Sequence, residues 1–71
     1  MNIEETYEVR TYFREGGKVI GTERCSSEQE ARAYAKHQIK YYPYVEIVFV
    51  TYLIQPWGNE IKSSFVVARF K

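Results

Sequence analysis

From Tyr44 to Gln55 the chain is strongly β-prone and apolar on both alternating sets: Val45, Ile47, Phe49 and Leu53 on one, Val48, Val50, Tyr52 and Ile54 on the other. A strand with one solvated face alternates apolar and polar residues, so this run is expected inside a sheet with both faces covered. The chain is short for that. Its 71 residues provide one domain, residues 1–71, with one core, and domains near this size bury only about 60% of their unfolded surface. One helical run is present to cover one face. The second face is therefore expected to be buried against a second copy of the chain or a larger protein partner.

The remaining elements follow from periodicity. Thr6 to Arg14 alternates, with Tyr7, Val9, Thr11 and Phe13 on one side and Thr6, Glu8, Arg10, Tyr12 and Arg14 on the other, which predicts a half-buried strand. Glu15-Gly16-Gly17-Lys18 reads as a tight turn, leading into a second strand from about Lys18 to Arg24. Gly21 inside that strand marks a bulge or a close approach of the helix. Ser27 and Glu30 match a capping box, and Ala31, Tyr34, Ala35, Gln38 and Ile39 form an apolar stripe at helical spacing. Pro43 ends the helix near Lys40 to Tyr42. Pro56 to Asn59 reads as a turn and Ile61 to Phe70 as the last strand. The order ββαββ predicts an α+β domain, an antiparallel sheet of four strands with one helix packed on one face.

Little in the chain suggests catalysis. There is no Asp, and the nine Glu fall mostly on the polar side of strands or on the solvated helix face. Cys25 and His37 offer a thiol near a helix N-terminus and an imidazole, but the plainer reading makes Cys25 a small apolar residue and His37 a solvated one. Ser63-Ser64 has no base beside it in the sequence, and Gly16-Gly17 is not a phosphate-cradling pattern. One Cys and one His exclude an internal disulfide and a soft-ligand zinc set, so no catalytic residue, metal or cofactor is expected. No long apolar run or leader pattern is present, which gives an expectation of a cytoplasmic protein with no membrane partner and no small-molecule substrate.

The unexplained content is aromatic: seven Tyr, four Phe and one Trp, more than a one-sided core of this size needs. Tyr and Trp dominate protein-interface hot spots, so the sequence points to a protein-binding surface formed by Tyr12, Val48, Val50, Tyr52, Ile54 and Trp57. The competing class is a nucleic-acid module in which Arg10, Tyr12, Arg14 and Arg24 contact phosphates and stack on bases. A net charge of +1 provides no broad attraction for it, and Glu8 shares the same strand face. The stretch from Tyr7 to Ala35, a basic-aromatic strand, a Gly turn, a second strand and Ser-Ser-Glu-Gln-Glu-Ala, resembles small sheet-plus-helix modules, including the DNA-binding arms of phage integrases. A long hairpin follows the helix instead and a preceding strand is missing, so no residue role carries over. The leading expectation is a non-enzymatic interaction module, self-associating or docking on a larger protein, of the size common among phage and mobile-element accessory or inhibitor proteins.

Overall fold

The computed structural model describes residues 2–71. Four strands and one helix follow in the order β1 (Asn2–Tyr12), β2 (Val19–Cys25), α1 (Glu28–Gln38), β3 (Tyr44–Gln55) and β4 (Gly58–Phe70). The strands form one antiparallel sheet in the order β2-β1-β3-β4, so the expected ββαββ α+β class holds. β1 and β3 occupy the middle; β2 and β4 are edges.

α1 begins where its N-terminal donors find side chains. The Glu30 N–H donates to Ser27 Oγ at 3.1 Å, while the Glu30 carboxylate accepts from Ser26 Oγ at 2.9 Å rather than returning to the Ser27 backbone. The box is thus shared between two serines. Acids in the first turn (Glu28, Glu30) and bases in the last (Lys36, His37) suit the helix dipole. Ala31 and Ala35 are fully buried and let the helix lie close on Val9, Val45, Ile47 and Cys25, with Tyr34 and Ile39 packed alongside.

Several element bounds differ from the sequence reading. β1 starts four residues earlier, at Asn2, because Asn2 to Glu5 pair with Thr51 to Ile54 although they lack an alternating apolar pattern. The first turn is longer than a tight hairpin, running from Phe13 to Lys18, with Gly16 at φ 79°. β4 starts at Gly58, so the second turn shrinks to Pro56 and Trp57. α1 ends at Gln38, the backbone N–H groups of Tyr41 and Tyr42 both bonding back to the Gln38 carbonyl.

Gly21 does sit beside a bulge: the β1–β2 register slips between Thr11 and Tyr12, leaving Ile20 unpaired. The close neighbour there is not the helix. A Cβ on Gly21 would lie 2.8 Å from Thr11 Oγ1, the hydroxyl of its own cross-strand partner. Two further bulges fall on β4, where Lys62 and Val67 have no partner on β3.

The cover provided by the helix is partial. An eleven-residue helix spans about 16 Å, whereas the twelve residues of β3 span about 40 Å. The helix lies over the rows Val9–Ile47–Ala68 and Thr11–Val45–Phe70. Its cover ends at the row Cys25–Tyr7–Phe49–Phe65, where ring centroids are 4.9 Å apart for Tyr7 and Phe49 and 5.5 Å for Phe49 and Phe65. Beyond it the sheet continues uncovered for the rows Glu5–Thr51–Ser63 and Ile3–Leu53–Glu60.

Gly21→Ala is expected to destabilise the fold by about 1–3 kcal/mol through its contact with Thr11, a cost of the size reported for crowded or strained sites. Combining it with Thr11→Ala should recover part of the loss, read as a urea midpoint that rises relative to Gly21→Ala alone.

Candidate functional site

The sheet face opposite α1 carries most residues that the sequence singled out. Across its middle, in register, lie Thr6 beside Val50, Glu8 beside Val48, Arg10 beside Glu46 and Tyr12 beside Tyr44, with Arg24, Val66 and Arg69 on the flanking strands. Among the described residues no second layer of backbone lies over this face, yet Val50 and Val48 are only 0% and 3% exposed. Their cover comes from long neighbouring side chains on the same face.

That cover is organised around two glutamates. Glu8 is 4% exposed and accepts from the Tyr52 hydroxyl at 2.5 Å and from the Arg10 guanidinium at 3.0 and 3.3 Å. Arg24 approaches the same carboxylate at 3.8 Å and stacks over the Tyr52 ring, 5.0 Å from its centroid. Glu46 accepts from the hydroxyls of Tyr12 and Tyr44, each at 2.8 Å, and faces Arg69 at 3.6 Å. The Tyr12 and Tyr44 rings are themselves 5.4 Å apart. Every buried side-chain nitrogen and oxygen among the described residues has a partner, so the layer is a closed polar roof over Val48 and Val50.

This arrangement corrects the expectation that the second face needs a partner chain to cover it. Val48 and Val50 are buried within one chain and offer no surface to anchor a partner, and Tyr12, 8% exposed, has its hydroxyl committed to Glu46. Tyr52 and Ile54 are half-buried. Of the six proposed anchors only Trp57 is freely exposed, at 80%, on the β3–β4 turn. Of the basic set, Arg10 and Arg24 are paired with Glu8, and Arg14 lies exposed at the β1–β2 turn.

Burial raises the Glu8 carboxyl, but hydrogen bonds from Tyr52 and Arg10 and the charges of Arg10 and Arg24 outweigh it and leave it below its ordinary 4.5. Tyr12 is raised above 10.0 by burial and by Glu46, Tyr44 is pushed up to about 12 by the same two causes, and Tyr52 is raised by its bond to Glu8 and by burial. These shifts fit a structural network in which the Glu8 carboxylate is ionised and the phenols are protonated at neutral pH.

The thiol and imidazole stand apart. Cys25 is 4% exposed, and burial, with Glu30 and Glu23 nearby, pushes its thiol up, away from a nucleophile's thiolate. His37 sits in the last turn of α1, its ring 5.5 Å from that of Tyr41, while Cys25 precedes the first. A concavity of about 320 Å³ at the β1–β2 turn is lined by Phe13, Arg14, Gly17, Lys18 and Ile20, with no carboxylate, imidazole, hydroxyl or thiol among them. Among the described residues no group of His, Cys or Glu is placed to hold a metal ion, and no helix is long and apolar enough to cross a membrane.

The sequence reading missed a different surface, the far half of the helix-side face. Ile3 is 55% exposed and Phe65 60%, with half-buried Phe49 and Leu53 between them and Ile61, 55% exposed, on the reverse side. Phe49 and Leu53 read as core because their set also contains Val45 and Ile47. The available signal was length, since the helical run is too short to span the whole strand. No family model matches the chain, and no curated or structurally solved protein matches it either.

Stability should be greatest between these two titrations. A carboxyl with a lowered folded pKa stabilises the fold above about pH 4.5, and that contribution is lost as pH falls through the folded value. Phenols with raised folded pKa values stabilise below about pH 10.0, and theirs is lost as pH rises through the folded values. Glu8→Gln should flatten the acid limb of a urea-midpoint-against-pH profile and cost about 1–3 kcal/mol at neutral pH by leaving Arg10 and Arg24 without their carboxylate.

Proposed function

We propose that this chain is a non-enzymatic protein-interaction module that binds through the half of its sheet that α1 leaves bare. The observation that carries the reading is the apolar content of that uncovered half, Phe49 with Phe65 and, beyond the polar row Glu5–Thr51–Ser63, Ile3 with Leu53, continuing towards Trp57 at the turn. Exposed apolar residues are unremarkable singly, but several brought together on one rigid sheet surface are the usual mark of an interface. The rigid backbone also limits the entropy lost on binding.

The enzyme reading draws no support from Glu8, Glu46 and their tyrosines, which are committed to the polar roof, or from Cys25 and His37, which lie at opposite ends of α1. The nucleic-acid reading draws on Arg10, Tyr12, Arg14 and Arg24, but Arg10 and Arg24 are both engaged by Glu8 and Tyr12 is buried. An accessory or inhibitory role on a larger protein belongs to the same proposal; it rests on the small size of the domain and its uncovered apolar surface.

A photoreactive residue placed at Leu53, followed by irradiation in the source cell, should give discrete adducts, whether with a second copy or with another protein. The same probe at Arg32, on the exposed helix face, should give none. Adducts from Arg32 and none from Leu53 would move the interface to the opposite side of the helix layer and overturn the proposal.

A further inference from the structure

We infer that a second copy of the chain meets the outer edge of this surface, joined edge to edge through β4 about a two-fold axis at Phe65, so that two four-stranded sheets become one of eight strands. This rests on the reading that the bare half of the sheet is an interface, and names what meets its outer edge.

β4 is the longer edge strand, thirteen residues, and its outer row of backbone donors and acceptors has no partner among the described residues. An isologous antiparallel pairing has to match faces as well as backbones. On β4 the helix side carries Glu60, Ser63, Phe65, Ala68 and Phe70, and the opposite side Ile61, Ser64, Val66 and Arg69, as their β3 partners fix. With Phe65 opposite the partner's Phe65, Ser64 falls opposite the partner's Val66, Ile61 opposite the partner's Arg69, and Glu60 opposite the partner's Phe70. Each of these pairs lies on one face. The bulged residues Lys62 and Val67 fall opposite the partner's Ala68 and the partner's Ser63, three residues before the axis and two after it, and leave Ser64 to Val66 regular between them.

This register also continues the aromatic row. Within one chain Tyr7, Phe49 and Phe65 stand side by side at 4.9 and 5.5 Å, and the outermost ring is 60% exposed. Across the axis the next strand, about 4.8 Å away, would present the partner's Phe65, then its Phe49 and its Tyr7. Three rings of one copy meet three of the other, and Phe65 gains the neighbour it lacks.

Charge favours the same orientation. The net charge of +1 hides a polarity along the molecule's 39 Å axis. The bare end carries Glu4, Glu5 and Glu60 against Lys62, while the end bearing the β1–β2 turn and the helix C-terminus carries Arg14, Lys18, Lys36, Lys40, Arg69 and Lys71 against Glu15 and Glu46. Antiparallel pairing of β4 sets the acidic end of each copy beside the basic end of the other. A face-to-face dimer through Ile3 and Leu53 would instead bring the two acidic ends together.

Light scattering across a concentration series should show a mass rising from 8.4 kDa to twice that value. Phe65→Lys puts like charges opposite each other on the axis; it should hold the chain monomeric with an unchanged circular dichroism spectrum, since the side chain is largely exposed. In a Cys25→Ala background, Phe65→Cys should form a disulfide-linked dimer under mild oxidation, and Trp57→Cys, on the turn beyond the paired strand, should not. A monomer at every concentration overturns the inference while leaving the Leu53 adducts to judge the wider proposal. A dimer that survives Phe65→Lys, or that cross-links at position 57 and not at 65, overturns the register.

Discussion

The organisation of this molecule depends on a mismatch of lengths. Helices gain about 1.5 Å per residue and strands about 3.3 Å, so a helix and a strand of nearly equal residue count cover very different distances. Here α1 and β3 differ by one residue, and the helix can shield less than half of the strand it packs on. The row of Cys25, Tyr7, Phe49 and Phe65 marks where shielding stops. Everything with Ala31 and Ala35 above it is dry core, and everything past the row is sheet surface without a second layer. The position of the candidate interface follows from this limit.

The other face meets the same shortage of material differently. With no helix to cover Val48 and Val50, the chain covers them with its longest side chains, held flat by hydrogen bonds to Glu8 and Glu46. Each carboxylate serves a tyrosine hydroxyl and an arginine, so the cost of burying it is offset by several partners at once. The tyrosines contribute apolar area beneath and a satisfied hydroxyl above. A composition that resembles an interface hot spot is thereby used up inside the monomer.

Much of the fold was legible in the sequence. Ser27 and Glu30 located the start of the helix, Ala31 to Ile39 its buried stripe, and the two apolar sets of β3 its central position in the sheet. The order β2-β1-β3-β4 was not legible, because it depends on which strand β1 meets on its second side, and the pattern of β1 suits either neighbour. Nor was the role of Glu8 and Glu46. A glutamate alternating with apolar residues reads as solvated, and the partners that bury it are distant: Tyr52 lies 44 positions from Glu8 and Tyr12 lies 34 from Glu46. The sequence reading looked for an open apolar surface on the face opposite the helix, where Val48 and Val50 are buried within the chain, since alternation separates faces without saying how far along each one the helix reaches.

The place of β1 in the sheet has a consequence for how the chain acquires its structure during synthesis. β1 is made first and pairs with β2 almost at once, but its inner neighbour is β3, and the register joins Asn2 to Ile54. The first hairpin therefore emerges from the ribosome with one of its two backbone rows vacant and without the apolar strand that will form the centre of the core. It must wait until β3 has been translated through Ile54. Contacts this far apart in sequence make late, concerted assembly the expected route, slower than for a helical chain of equal length.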